Sequence, residues 1–201
     1  MRIADELLLL AVDPVGGLPV IGVEELDLAL GAALLAELAL SGRVGFAGGR
    51  VRPARTPSAS GDPELDAAFA AVVRAPGGDA SGTVVALSGG DLLRRLRNGL
   101  IGRGVFAEEE HWVEGVLTSS THPELNPAPR KEILARLGGA LDGSVPEPRT
   151  ASLLAIAHGC GLLRVLFPAV ADLDRRVSAG TGGGWEGRAV ADAIARRATL
   201  S

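Results

Sequence analysis

The chain contains no tyrosine, four phenylalanines and two tryptophans among 201 residues. A core must therefore be built from Leu, Ala, Val and Ile, which favours packed helices over a large antiparallel sheet. Cys160 is the single cysteine, which excludes an intramolecular disulfide and a cysteine metal cluster. It lies in the apolar run LLAIAHGCGLL, where a buried, inert thiol is expected. Lys131 is the only lysine, and arginine supplies every other basic side chain. We read that bias as the coding preference of a GC-rich genome rather than as guanidinium chemistry. A surplus of positive charge is also missing. The net charge is -4 and the pI about 5.4, the wrong footprint for a nucleic-acid backbone binder. Long apolar runs are absent too. In MRIADELLLLAV, Asp5 and Glu6 precede the leucines and the run stops at Asp13, short of the roughly 18 residues of a membrane span. The expectation is a cytoplasmic protein whose membrane contact, if any, is peripheral on the inner face.

What remains is apolar and helical in pattern. With 47% hydrophobic residues, the chain can bury a substantial core as one domain over residues 1–201. Leu26, Leu30, Leu34 and Leu38 recur at intervals of four within Gly22–Ser41, and Leu28, Leu35 and Leu40 widen the apolar face. This predicts a long helix buried on most sides and closed by Gly42. Val44 and Phe46 face Val51 across Gly48-Gly49, the pattern of a β-hairpin. Asp62 before Pro63 caps a further helix, APGGDASGT reads as a loop, and Ser88 or Asp91 can cap the helix that carries the arginines. Asn126 caps the next helix. Arg149–Phe167 reads as a second buried helix, and the glycine-rich turn Gly180–Gly187 precedes an amphipathic one. The fold expected is mainly α, a single compact multi-helix domain with two short β-hairpins and about seven or eight helices.

Catalytic chemistry is not legible. His111, His122 and His158 are scattered, with no partner at metal-ligand spacing. GTGGGWEG lacks the phosphate-loop pattern, no GxSxG is present, and no carboxylate pair stands in an apolar setting. The expectation is a protein without catalytic residues, metal or cofactor, and not an enzyme.

One stretch does stand out. RRLRNGLIGRGVF, Arg94 to Phe106, places four arginines in ten residues. On a helix, Leu92, Leu93, Leu96 and Leu100 share one face while Arg94, Arg95 and Arg97 spread over the other. Two readings are open: a core-facing stripe with a solvated back, or three guanidinium groups presented to an anionic surface. Each basic residue near such a membrane is worth about 1 kcal/mol, so three give about 3 and a second contribution is needed. Phe106, Trp112 and Val113, in a hairpin from Val105 to Leu117, could supply it by membrane contact or self-association. Glu108, Glu109, Glu110 and Glu114 crowd the same hairpin and oppose an acidic bilayer.

The order of motifs resembles the Golgi phosphoprotein 3 family. DELLLLAVD is followed by LDLALGAALLAELALSGRV, SGDPELDAAF, the RGVF hairpin ending in THPELN, PRTASLLAIAHGCGLL and GGGWEGRAVADAIA. ELALSGRV and STHP are the most specific pieces, and the similarity covers nearly the whole chain. The resemblance implies a mainly helical domain that binds phosphatidylinositol 4-phosphate on a cytosolic membrane face. It also implies a hairpin, here roughly Phe106 to Leu117, used in self-association and membrane contact. The family's pocket tryptophan falls at Gly22 and its pocket arginines at Gly31, Gly90 and Leu93. The expected function is therefore a non-enzymatic peripheral membrane adaptor with a weak or altered anionic-lipid site. Its headgroup contacts are expected at Arg94, Arg95 and Arg97. The partners expected are an anionic phospholipid such as a phosphoinositide, a membrane-protein client and a second copy of the chain. The alternative is a soluble protein-interaction scaffold that has lost lipid binding.

Overall fold

The computed structural model describes residues 1–55, 59–113 and 116–199, the side chains of 111–119 excepted. Helix α1 (Ile3–Ala11) is buried along its whole length, acids included. Asp5 receives the Arg2 and Arg103 guanidinium groups at 2.9 Å, and Glu6 that of Arg136 at 2.7 Å. Paired in this way, both carboxylates enter the core with their charge compensated. Helix α2 (Val23–Leu40) runs through the middle of the molecule, with Leu26, Leu30, Leu34 and Leu38 all buried, as the four-residue spacing predicts. Gly42 takes the left-handed conformation (φ 70°), and Arg43 N–H reaches back to the Leu38 carbonyl at 2.9 Å, closing the helix.

Strands β1 (Val44–Ala47) and β2 (Arg50–Pro53) form the expected hairpin, with Phe46 opposite Val51. Phe46 packs on Trp185, ring centroids 4.6 Å apart, which ties this ribbon to the C-terminal helix. Helix α3 (Pro63–Arg74) starts at Asp62, whose carboxylate accepts from Glu64 N–H at 2.9 Å and Leu65 N–H at 3.2 Å.

Three expectations need correction. The APGGDASGT segment is a loop only as far as Asp79, which caps α4 (Ala80–Leu87) by accepting from Gly82 N–H at 2.7 Å. Helix α5 (Leu92–Gly102) follows, then strands β3 (Glu109–Val113) and β4 (Val116–Thr121), paired antiparallel. Helix α6 (Ala128–Leu141) begins where Asn126 Oδ1 accepts from Ala128 N–H at 3.0 Å. Arg149–Phe167 is not one helix. It divides into α7 (Pro148–Gly159) and α8 (Leu162–Leu166), because Gly161 adopts φ 79° and turns the chain. Helix α9 (Leu173–Thr181) then takes in Gly180, before α10 (Trp185–Ala198). The count among the described residues is ten helices and two two-stranded sheets, with one hydrophobic core drawing on residues from Ile3 to Ala193. Mainly α with two short hairpins is the fold.

Candidate functional site

Helix α5 is held by Leu92, Leu96 and Leu100, all buried, so its opposite side is fixed in direction. Chain entry is unusual: Gly89, Gly90 and Asp91 all have positive φ, and Asp91 makes no side-chain cap bond. The Asp91 carboxylate turns instead to Arg94, at 2.7 Å. The Arg94 side chain is 65% exposed and that of Arg95 44%. Arg95 is engaged by Glu64 of α3 at 2.9 Å and by the Gly90 carbonyl. Two of the three arginines therefore carry a carboxylate partner already. The Asp91 pairing was readable from its i,i+3 spacing to Arg94. The Glu64 pairing, made across α3, left no local signal.

Arg97 differs. It is half-buried, and it makes no ion pair among the described residues. Burial pulls its guanidinium pKa down. Burial, and then the Arg97 charge, also hold the nearby His122 imidazole below its usual value, with Glu108 acting in the opposite sense. Arg94 and Arg95 thus turn to the start of α5 and to α3, and the Arg97 charge acts on the segment that follows β4.

Phe106 is corrected as a contact residue. It is 2% exposed, so its ring belongs to the core, and its backbone forms a bridge with Glu124 across the base of the hairpin. Val105 N–H bonds the Leu100 carbonyl at 2.9 Å, which folds the chain back onto α5 before β3 starts at Glu109. The side chains of Trp112 and Val113 lie outside the described residues. Glu108, Glu109 and Glu110 are exposed at the root of the hairpin.

The positions that the family resemblance gives to headgroup ligands carry no charge here. At Gly31 there is no room for a side chain: a Cβ would lie 2.8 Å from the Val84 carbonyl oxygen and 3.0 Å from Ser88 N, because α4 crosses α2 there. Gly90 opens onto free space. Beside it is a cleft of about 260 Å³ whose walls include Leu34, Glu64, Arg74, Ser88 and Arg95. Its polar lining mixes both signs of charge, which suits a weak anion site better than a dedicated phosphate pocket.

Elsewhere the chemistry is structural. Cys160 is buried, and burial pushes its thiol up to about 11. His158 pairs with Asp174 at 2.8 Å, tying α7 to α9. Among the described residues, no three His, Cys, Asp or Glu side chains are grouped to hold a metal ion. No helix among them is long and apolar enough to cross a membrane.

A mainly helical body with a basic helix leading into a β-hairpin defines the class: a compact helical protein with one charged, ribbon-edged face. The sequence profile of Golgi phosphoprotein 3 (GPP34) matches residues 3–197, and the chain belongs to that family. A comparison with functionally curated proteins gives no match.

Proposed function

We propose that the protein is a non-enzymatic, peripheral adaptor that associates with anionic phospholipid through α5. The observation that carries this reading is the arrangement of Arg94, Arg95 and Arg97 on a helix whose other side is locked by Leu92, Leu96 and Leu100. Family membership supports it. The site is generic rather than headgroup-specific, since Gly22, Gly31, Gly90 and Leu93 bring no charge to the family's pocket positions. Binding then comes from Coulomb attraction of about 1 kcal/mol per arginine. The partners that follow are an acidic lipid such as a phosphoinositide, a membrane-protein client and a second copy of the chain.

The test compares wild type with Arg94→Ala/Arg97→Ala on vesicles containing phosphatidylinositol 4-phosphate or another anionic lipid at matched charge. Equal loss on both lipids is expected. Unchanged binding by the variant removes α5 from the mechanism. Loss on the phosphoinositide alone would instead mean a headgroup pocket in a shifted register.

A specific observation favours a second reading, a protein-interaction scaffold without lipid affinity. Asp91 and Glu64 already neutralise Arg94 and Arg95, leaving Arg97 as the cation without an ion-pair partner on α5 among the described residues. Wild-type protein that stays in solution with acidic vesicles at low salt would establish that reading.

A further inference from the structure

Three aliphatic side chains stand in water at the root of the β3–β4 hairpin: Val15 is 79% exposed, Leu18 67% and Leu125 59%. They come from two segments pinned side by side. His122 N–H bonds the Gly16 carbonyl at 3.0 Å, and Glu124 N–H bonds the Pro14 carbonyl at 2.9 Å. The turn itself is rigid. The Asp13 carboxylate accepts from Val15 N–H at 3.1 Å, Gly16 N–H at 2.6 Å and Leu18 N–H at 2.8 Å. The Asp13 carbonyl takes Gly17 N–H at 3.0 Å, and Asp13 N–H bonds the Leu18 carbonyl at 2.9 Å. Every backbone N–H from Val15 to Leu18 therefore has a partner inside the turn, and Pro14 and Pro19 have none to satisfy.

The geometry points to this turn, Val15 and Leu18 with Leu125 beside them, as an element that enters the boundary between headgroups and acyl chains of an anionic bilayer. The inference rests on the lipid-association reading above and deepens it. A segment enters such a boundary at least cost when its backbone N–H groups are satisfied from within, and this turn satisfies all four from Val15 to Leu18 while its apolar side chains are exposed. Its position suits as well. Leu125 N–H bonds the Val105 carbonyl and Val105 N–H bonds the Leu100 carbonyl, each at 2.9 Å, so the apolar patch adjoins the end of the basic helix. Electrostatics alone falls short there, because Glu108, Glu109 and Glu110 are exposed close by. An apolar contribution is what that face otherwise lacks, and interfacial elements combine the two. The patch is a protruding turn rather than a groove, which suits a lipid boundary better than a second copy of the chain.

The experiment uses the full chain and mixed phosphatidylcholine–phosphatidylserine vesicles, with Leu18→Ser/Leu125→Ser compared with wild type by sedimentation. In parallel, Leu18→Cys is labelled with an environment-sensitive dye, which the buried Cys160 does not take up. Both leucines are exposed, so circular dichroism should match wild type. The double variant should bind at least about tenfold more weakly, since each leucine contributes about three- to fivefold on partial insertion. The dye should be quenched by brominated acyl chains. If wild type binds, the variant binds equally and the dye is not quenched, this inference falls and the α5 reading stands. If wild type does not bind at all, both fall. Shielding of the dye by rising protein concentration without vesicles would assign the patch to a second copy and overturn the inference.

Discussion

Asp5 is a carboxylate with no exposed side-chain surface, yet it stays charged. Burial pushes its pKa up, but hydrogen bonds from the Arg2 side chain and backbone and from Arg103 outweigh burial and hold it below the usual carboxylate value. Because the folded value is depressed, the stabilisation is complete above the unfolded pKa, near 3.8, and is lost as pH falls through the folded one. Asp5→Asn should cost about 1–3 kcal/mol at neutral pH, since it weakens charge-assisted hydrogen bonds to Arg2, which keeps Asp62 as a partner, and to the half-exposed Arg103. Urea unfolding at pH 7 and again near pH 3 checks this, and the gap to wild type should narrow at the lower value. A second residue-scale test is Gly31→Ala. Its methyl would meet backbone atoms of α4 that cannot swing aside, so a loss of about 1–3 kcal/mol is expected. An unchanged unfolding midpoint would show that α4 shifts freely on α2.

At the scale of elements, what the sequence made legible was whatever periodicity or capping chemistry could express. The Leu26–Leu38 spacing gave α2, the Gly48-Gly49 pair gave the first hairpin, and Asp62-Pro63 and Asn126 gave two helix starts. The α7–α8 break escaped because Cys160 and Gly161 lie within an apolar run, and apolarity does not report direction of travel. Helix α4 escaped because Gly, Asp and Ser favour loops locally, while packing of α4 against Gly31 decides otherwise. The second hairpin carries a proposal of its own. Its strands pair Glu109–Val113 with Val116–Thr121, and the family resemblance implies a role in self-association. Sedimentation velocity should show a mass that rises with concentration for wild type and stays monomeric after deletion of residues 107–114. Equal behaviour of the two proteins would end the self-association proposal.

For the whole molecule, the arginine helix was visible in the sequence but its electrostatic state was not. Asp91 and Glu64 pair with two of its three arginines, one through a turn and the other from α3. The exposed turn at Val15 and Leu18 escaped as well, because single apolar residues between prolines and glycines carry no periodic signal. Together these set the expected salt dependence of membrane association. The chain carries a net charge of -4, so at long range an acidic vesicle repels it, and attraction is confined to the face around α5. At physiological salt the Debye length is about 8 Å, and at 1 M about 3 Å, so the Coulomb part should vanish between those conditions. The apolar part should not. Wild-type binding should therefore fall steeply with salt and level off at a residual plateau. Arg94→Ala/Arg97→Ala should remove the steep part and keep the plateau. Leu18→Ser/Leu125→Ser should keep the slope and lose the plateau. Titration of vesicle binding over that salt range for the three proteins checks this. Wild-type binding that falls to nothing at high salt would leave α5 as the sole contact.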